Sequence, residues 1–205
     1  LDHILSEQEA DPAELSAITQ WLQREGTCLL LAPHHDVGFT DDFTQRQIGY
    51  LNHGVPRVAR QQRLGQYTRS LMAALDVPVH NIWGLRPAVV EGTTEIAALT
   101  ALHDLDAAKL LDNVTTFNFH PHLPHYELTA PESDALRVLG RQRVDPNRPH
   151  PFTAAGHTEF NALIWMPPTS RRAGDIVLVD STNFTTLFGG TDSLKNFWHN
   201  LATMT

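Results

Sequence analysis

A strand–helix–strand pattern in the first 32 residues constrains the fold more than any other feature of the sequence. Residues 1–5 have the composition of a strand end, and Asp11 followed by Pro12 is typical of a helix N-terminus. The apolar face of that helix repeats at helical spacing and comprises Leu15, Ile18, Trp21 and Leu22. After Gly26, which we expect to end the helix, residues 27–32 (TCLLLA) form the near-continuous apolar run of a strand buried on both faces of a parallel sheet. Such a βαβ unit predicts α/β architecture.

The rest of the chain also alternates between helical and extended patterns, without repeats or low-complexity stretches. The spacing of apolar residues predicts helices over 57–75, 93–113 and 193–204. Extended segments are predicted at 77–79, 87–90, 114–119, 126–129, 160–166 and 175–179, with 114–119 and 126–129 as candidate partners. A length of 205 residues fits one large domain or two small ones, and we treat residues 1–205 as a single α/β domain.

Composition and charge exclude several classes of protein. The single cysteine, Cys28, excludes a disulfide scaffold and a zinc finger built on cysteines. The net charge of −8 argues against nucleic acid as a partner, because neutralising phosphates requires a basic face. No apolar run approaches the roughly 20 residues that cross a bilayer, so we expect no membrane partner and, by default, a cytoplasmic location. Because the chain begins with Leu1 rather than Met, we expect it to be part of a longer protein.

Twelve histidines are the unusual feature of the composition, and several stand beside the ends of predicted strands. His34-His35-Asp36 comes soon after TCLLLA, the HPHLPH stretch (residues 120–125) follows VTTFNF, and Asp180-Ser181 follows DIVLV. In open α/β sheets, ligands bind outside the carboxyl ends of the strands. If the three strands are neighbours, these polar residues meet at one rim of the sheet.

Such a rim has the donor set of a metal site, because neutral imidazole and carboxylate bind Zn, Mn or Fe. The candidate ligands are His34, His35, His120, His122 and His125. With one divalent ion bound, Asp36 or Asp180 would act as the general base of a metal-dependent hydrolase, since the metal lowers the pKa of its bound water. The alternative is that these histidines cap strand ends and bond to carbonyls of a polar loop.

Nucleophilic catalysis and phosphate binding have less support. Cys28 lies at the start of a predicted buried strand, where a thiol is usually inert, and the chain contains no Gly-x-Cys-x-Gly or Gly-x-Ser-x-Gly elbow and no glycine-rich phosphate loop. Contacts to a small polar ligand at the rim would instead come from Arg86, Asn118 and Ser181. A group of arginines on one predicted helix indicates a solvated face rather than an anion site: Arg57, Arg60, Arg63 and Arg69.

Two stretches resemble class I glutamine amidotransferase-like domains, which are flavodoxin-like. In the first, a helix ending WLQREG leads to TCLLLAPHHDVG, and in the second, GDIVLVDSTNF precedes SLKNFWHNL. They cover about a third of the chain, and the resemblance implies a three-layer sandwich with a mainly parallel sheet plus an antiparallel portion. It also implies an earlier βα unit that this chain lacks. The cysteine elbow and the His-x-Glu pair of the active family are absent, so glutamine hydrolysis is not implied.

The segment LAPHHD resembles the AHPDD strand-end motif of the zinc-dependent N-acetylglucosaminyl deacetylases of the PIG-L type. This local resemblance implies a metal ligand at His34 and a general base at Asp36. Val37 stands where that family has its final aspartate ligand.

We therefore expect a glutamine amidotransferase-like domain without amidotransferase activity that binds a small polar ligand or a metal ion at the strand-end rim. One alternative is a metal-dependent hydrolase of amide or ester bonds that uses the two histidine clusters. The other alternative is a non-catalytic accessory domain that contacts a protein partner or the remainder of a longer chain.

Overall fold

A computed structural model of the chain describes residues 9–33, 66–85, 88–93, 95–117, 123–145, 158–181 and 191–204, with the backbone alone at 66, 82–85, 123–125 and 191. The helices described are α1 (Pro12–Trp21), α2 (Gln66–Ala74) and α3 (Thr191–Thr203), together with a short 3-10 helix at His103–Leu105. The strands described are β1 (Cys28–Leu31), β2 (Val79–Leu85), β3 (Thr100–Ala101), β4 (Leu123–Leu128), β5 (Arg137–Arg143), β6 (Glu159–Met166) and β7 (Asp175–Val179). Within these ranges, every helix falls short of the length and apolar character required to span a bilayer.

The described strands form a mixed sheet in the order β1-β7-β6-β5-β3, and β2 pairs with β4 in a separate two-stranded sheet. β1 lies parallel to β7, whereas the other three pairs of the larger sheet are antiparallel. The chain is therefore mixed α/β, but the mainly parallel sheet expected from the sequence is not the arrangement of these strands. The expectation rested on continuous apolar strands, and such strands arise here because both faces of a largely antiparallel sheet are covered.

Two apolar clusters cover the opposite faces of the five-stranded sheet. Side chains alternate along a strand, so Leu163 of β6 joins a cluster with Phe197 of α3, while its neighbour Ile164 joins a cluster with Leu71 of α2. Partly buried residues of α1 pack on the same side as α2. The sheet thus separates α3 from α1 and α2, and β7 between its neighbours is buried from Ile176 to Val179.

The N-terminus of α1 lies where the sequence predicts it. The Asp11 side chain accepts a hydrogen bond from the N–H of Ala13 (2.7 Å), and the Glu14 side chain accepts one from the N–H of Asp11 (3.0 Å). This capping box satisfies backbone donors that the first helical turn leaves open, and Pro12 fits there because it has no N–H to lose. The connection to β1 passes through Gly26, whose φ of 69° favours glycine.

The described residues of 93–113 do not form the α-helix that the sequence predicts, so that prediction is wrong for them. The buried Asp106 carboxylate accepts the N–H groups of Leu110 (2.9 Å) and Leu111 (2.7 Å), so these donors are not available to a regular helix. Lys109 has a φ of 56°, which a right-handed helix does not allow. The apolar spacing in this segment therefore reflects a compact series of turns that buries two adjacent leucines.

The strand predicted before the HPHLPH stretch is also absent from both sheets over its described residues, 114–117. Its backbone instead bonds to α3, where the hydroxyl of Ser193 accepts the N–H groups of Thr115 (2.9 Å) and Thr116 (3.0 Å) and donates to the Thr116 carbonyl. Two further side chains of α3 donate to carbonyls of residues 110–113, namely Asn196 and Asn200. These side-chain bonds replace the strand pairing that the alternating sequence suggested.

Candidate functional site

Several polar groups lie beyond the carboxyl ends of the parallel strands β1 and β7, including the carbonyl of Pro33. We call the residues that carry them the carboxyl edge: Pro33, Tyr126, Asp180 and Ser181. Pro33 and Asp180 each stand two residues beyond the last residue pair of the two strands. Asp180 is only 4% exposed, and Ser181 after it is half-buried. A carboxylate is seldom buried to this extent unless it has a partner or a function.

Tyr126 of β4 brings a phenol to the carboxyl edge. Its side chain is buried, and its hydroxyl donates to the carbonyl of Pro33 across 3.4 Å, which is longer than an ordinary O–H···O bond. Burial raises the pKa of Tyr126 well above its usual value of 10.0, and the negative charge of Asp180 raises it further. The phenol therefore stays protonated and acts as a hydrogen-bond donor beside the carboxylate.

Polar contacts behind Tyr126 fix the position of β4. Asn161 of β6 donates to the Tyr126 carbonyl (2.8 Å), and Asn81 of β2 lies opposite Tyr126 in the β2–β4 register. Arg69 of α2 in turn donates from Nε to the Asn81 side chain (3.1 Å) and from Nη2 to its carbonyl (3.2 Å). The solvated face expected for the arginines is thus wrong for Arg69, and the other three lie outside the described residues: Arg57, Arg60 and Arg63.

The structure places two of the predicted site residues, Asp180 and Ser181, directly after β7 and beside the end of β1. Of His125, only the backbone is described, within β4. The remaining predicted ligands and contacts lie outside the described residues: His34, His35, Asp36, Arg86, Asn118, His120 and His122. Their proposed roles stay predictions.

The described part of the HPHLPH stretch begins a strand, whereas the sequence predicts that the stretch follows one. Its last three residues begin β4, which pairs antiparallel with β2. Pro124 lies opposite Gly84 at an irregularity of that pairing, the kind of position at which a strand tolerates proline. Only two of the three expected strand ends are therefore present in the described sheet.

The sequence predicts that Tyr126 lies in a strand but indicates no role for it at the rim. The one local signal was its position directly after the HPHLPH stretch, at the start of the predicted segment 126–129. The contact between Tyr126 and Pro33 joins residues 93 positions apart, and no local pattern encodes a contact of that separation.

The carboxyl edge holds a protonated donor and a carboxylate near enough for the charge of Asp180 to act on Tyr126, an arrangement suited to orienting a polar group. Within the described ranges, no cluster of three or more His, Cys, Asp or Glu has a geometry that could hold a metal ion. The carboxylate of Asp180 is the one described group at this edge with the chemistry of a metal ligand.

Different polar residues occupy the opposite end of β7, and we call them the amino edge: Cys28, Trp165, Arg172 and Asp175. Trp165 donates from its indole nitrogen to the Asp175 carboxylate (2.7 Å). The Arg172 guanidinium donates to three carbonyls at 2.9–3.3 Å, those of Met166, Pro167 and Gly174. These donors are consumed by local backbone and side-chain acceptors, which is typical of a structural cluster.

The pKa of the Cys28 thiol is raised within the amino edge, so little thiolate forms at neutral pH. Burial, followed by the negative charge of Asp175, raises its pKa to about 12, although the positive charge of Arg172 acts in the opposite direction. A nucleophilic cysteine requires a lowered pKa, so the shift agrees with the inert thiol that the sequence predicts.

Comparison with known proteins adds no family to this description. No protein-family model, curated protein or solved structure matches the chain.

Proposed function

We propose that the carboxyl edge is a binding site for a small polar ligand or a divalent metal ion. The observation that carries the proposal is the burial of Asp180 beside the protonated hydroxyl of Tyr126, at the ends of a parallel strand pair. Ligands of α/β proteins bind outside the carboxyl ends of parallel strands, where side chains and loops converge. A buried carboxylate next to a donor can accept from and orient one polar group of such a ligand.

A metal-dependent hydrolase of amide or ester bonds is the second candidate function. It is favoured by the sequence His34-His35-Asp36, which directly follows Pro33, a residue of the carboxyl edge. In this form of the proposal, histidines from the two clusters bind one Zn, Mn or Fe ion, and Asp36 or Asp180 serves as the general base. The histidine clusters would then supply the remaining donors beside Asp180.

The proposed architecture is a three-layer arrangement related to the flavodoxin-like, glutamine amidotransferase-like domains. Its support is the position of helices on both sides of the five-stranded sheet. The antiparallel pairing of β5, β6 and β7 would make this chain a divergent member. Amidotransferase chemistry is not part of the proposal, because the nucleophile elbow is missing from the sequence.

The first experiment measures the metal content of tag-free protein, purified without chelators or a nickel column. The protein is analysed by mass spectrometry as isolated and after incubation with excess Zn²⁺, Mn²⁺ or Fe²⁺. Near-stoichiometric metal supports the metal form of the proposal and leads to assays with amide and ester substrates. Protein that remains metal-free after loading rejects that form and directs the work to metal-free ligands.

A matched pair of variants tests whether binding uses the carboxyl edge. Asp180→Asn and Asp175→Asn change the same residue type near the two ends of one strand, and only the first is at the proposed site. For metal, or for any polar compound that stabilises the protein against heat, we expect Asp180→Asn to weaken binding about 10-fold or more, as loss of a charge-assisted contact does. Asp175→Asn should bind like the wild type. Equal binding by all three proteins would reject the site, and a search for a protein partner would then test the accessory-domain alternative.

A further inference from the structure

A cavity of about 240 Å³ lies where the residues after α1 and α2 meet the turn between β6 and β7. The apolar part of its lining comes from Leu22 and Met166, which are buried, and from the half-buried Leu75. Two exposed residues of opposite charge line the same cavity, Asp76 after α2 and Arg171 in the turn. The cavity therefore has an anion and a cation beside one apolar surface.

The charges of Asp76 and Arg171 are not paired within the part of the chain that the structure describes. Neither side chain forms a hydrogen bond or an ion pair there. Arg172 also lines the cavity, but its guanidinium donates to three backbone carbonyls. A ligand can therefore bind the Asp76 carboxylate and the Arg171 guanidinium without displacing a contact of the described residues.

Asp76 stands at a position that does not favour an aspartate. The N–H of Asp76 donates to the carbonyl of Ala73 (3.3 Å) and the N–H of Val77 to that of Met72 (2.9 Å), which is the hydrogen-bond pattern of a Schellman motif at the end of α2. Glycine or asparagine usually occupies this position, where φ is 52°, and a carboxylate here faces the negative end of the helix dipole. Asp76 thus lowers the stability of this helix end, and no side-chain contact in the described ranges compensates for it, as is expected of a residue with a binding role.

The turn that carries Arg171 is held in place by its neighbours. Thr169 and Arg172 form an antiparallel bridge across the turn, and the Gln23 side chain donates to the Arg171 carbonyl (3.1 Å). The backbone of Arg171 is thereby fixed, while the residue itself stays exposed. Because a planar guanidinium forms two parallel hydrogen bonds with a carboxylate, Arg171 is suited to hold the carboxylate of a ligand.

We propose that this cavity binds a free α-amino acid that has an apolar side chain. The ammonium group of the amino acid faces Asp76, its carboxylate faces Arg171, and its side chain packs on the apolar part of the lining. The volume of about 240 Å³ lies below the range of about 300–1,000 Å³ that is typical of drug-sized ligands, which suits a molecule this small. This inference uses none of the carboxyl-edge residues and stands or falls independently of the proposed function.

L-Leucine and two relatives that each lack one charge test the proposal on the wild-type full chain. L-Leucinamide has no carboxylate, and N-acetyl-L-leucine has no ammonium group. The amide spectrum of ¹⁵N-labelled protein is followed while each compound is added at pH 6 and constant ionic strength. We expect leucine to bind with a Kd below about 1 mM and to shift residues 75–77 and 169–172 most, and each relative to bind about 10-fold weaker or more. Absence of saturable leucine binding, or a relative that binds as tightly as leucine, would overturn the proposal.

Two variants of the cavity assign each charge to its partner. Arg171→Gln and Asp76→Asn should each weaken leucine binding about 10-fold, and asparagine is accepted at the positive φ of position 76. Leucinamide should bind Arg171→Gln and the wild type equally, because it lacks the group that faces Arg171. For the same reason, N-acetyl-leucine should bind Asp76→Asn and the wild type equally. A variant that weakens the compound lacking the facing group as much as it weakens leucine would contradict the proposed orientation and reject the proposal.

Matched controls remove the same charges outside the cavity lining. They are Asp112→Asn, at an exposed carboxylate, and Arg141→Gln, on β5 in an ion pair with Glu132. Both should bind leucine like the wild type, and a loss equal to that of the cavity variants would mean that leucine responds to overall charge, which rejects the proposal. If a cavity variant does not fold, the comparison of the three compounds on the wild-type chain still decides.

Discussion

The two ends of β7 carry the same residue type in different surroundings. At the amino edge, Asp175 accepts from Trp165, and Arg172 beside it binds three backbone carbonyls, so the polar groups satisfy one another. At the carboxyl edge, Asp180 is buried beside Tyr126, whose contact with Pro33 is long and weak. The difference teaches that a carboxylate at a strand end is not in itself a sign of function, because the half-buried Asp175 is held by local donors. The carboxyl edge is distinguished by its location at the ends of a parallel strand pair. It is also distinguished by the long hydrogen bond of its donor, the Tyr126 hydroxyl.

From the contrast between the two edges we expect first that the Cys28 thiol of the amino edge is unreactive. Because the pKa of Cys28 is raised from 9.0 to about 12, its thiolate fraction at pH 8 is roughly 1,000-fold lower than that of an ordinary thiol. Iodoacetamide should therefore modify Cys28 at least 100-fold more slowly in native protein than in urea, as followed by mass spectrometry. Comparable rates in the two states would break the distinction between the edges.

The second prediction concerns the packing of the amino edge. In Gly174→Ala, the added Cβ would clash with the hydroxyl oxygen of Thr27 and crowd the Thr27 carbonyl oxygen and a methyl group of Leu22, so the Thr27 side chain must move and the surrounding packing must adjust. We expect a loss of about 2–3 kcal/mol in the free energy of unfolding, measured in urea. Gly26→Ala is the control, because its Cβ meets nothing and only its positive φ costs about 1 kcal/mol. An equal loss in the two variants would show that Gly174 is not tightly packed.

The third prediction tests the carbonyl contacts of Arg172. Arg172→Ala should lower the free energy of unfolding by about 2 kcal/mol, because the carbonyls of Met166, Pro167 and Gly174 lose a charged donor. Arg171→Ala changes the exposed neighbouring side chain and should stay within about 0.5 kcal/mol of the wild type. Urea denaturation of the two variants side by side measures the difference. If Arg172→Ala were as stable as Arg171→Ala, the amino edge would not be the structural cluster described above.

The smallest expected effect is a pH dependence that belongs to Asp175. Burial raises the pKa of this carboxyl above its ordinary 3.8, although the hydrogen bond from Trp165 and the charge of Arg172 oppose the shift. The folded state therefore holds the proton more tightly, so this contribution to stability is present below pH 3.8 and is lost as the pH rises through the folded pKa.

Asp175→Asn removes that contribution, because an amide cannot ionise while its oxygen can still accept from Trp165. Between pH 4 and pH 7 the variant should gain stability relative to the wild type, by less than the loss in Arg172→Ala. Urea denaturation at the two pH values measures this, and Asp112→Asn at an exposed carboxylate serves as the control. A relative stability that falls between pH 4 and pH 7 would mean that Asp175 is stabilising as an anion.

Local signals predicted the elements that depend on local energetics. The cap of α1 follows from Asp11 and Pro12, and the apolar runs of β6 and β7 and the amphipathic spacing of α3 are each encoded within a few residues. The parallel pairing of β1 with β7 agrees with the expectation of parallel strands, but the antiparallel remainder does not, and the first strand of the predicted βαβ unit, residues 1–5, lies outside the described residues. Strand direction depends on connections between distant segments, which hydrophobic periodicity does not report.

The errors have identifiable physical causes. The Asp106 carboxylate accepts two backbone N–H groups that the helix predicted over 93–113 would require. The spacing of apolar residues does not reveal a contact made by a single carboxylate. Tyr126 was not recognised at the site because its partners, Pro33 and Asp180, are distant in sequence. The position of Asp180 and Ser181 at a strand end could be predicted, because a polar pair directly after a buried strand is a local signal.

The attachment of α3 has a consequence for how the sequence can diverge. Ser193, Asn196 and Asn200 bind backbone groups of residues 110–116, and every residue type except proline supplies both the carbonyl and the N–H. Exposed positions in that segment, such as Asp112, can therefore change without loss of an acceptor, whereas each of the three helix residues contributes side-chain chemistry that few others supply. Mutational tolerance across this contact is one-sided, and in distant descendants of the chain the helix should keep its Ser-x-x-Asn-x-x-x-Asn spacing even where the exposed side chains of the facing segment have changed.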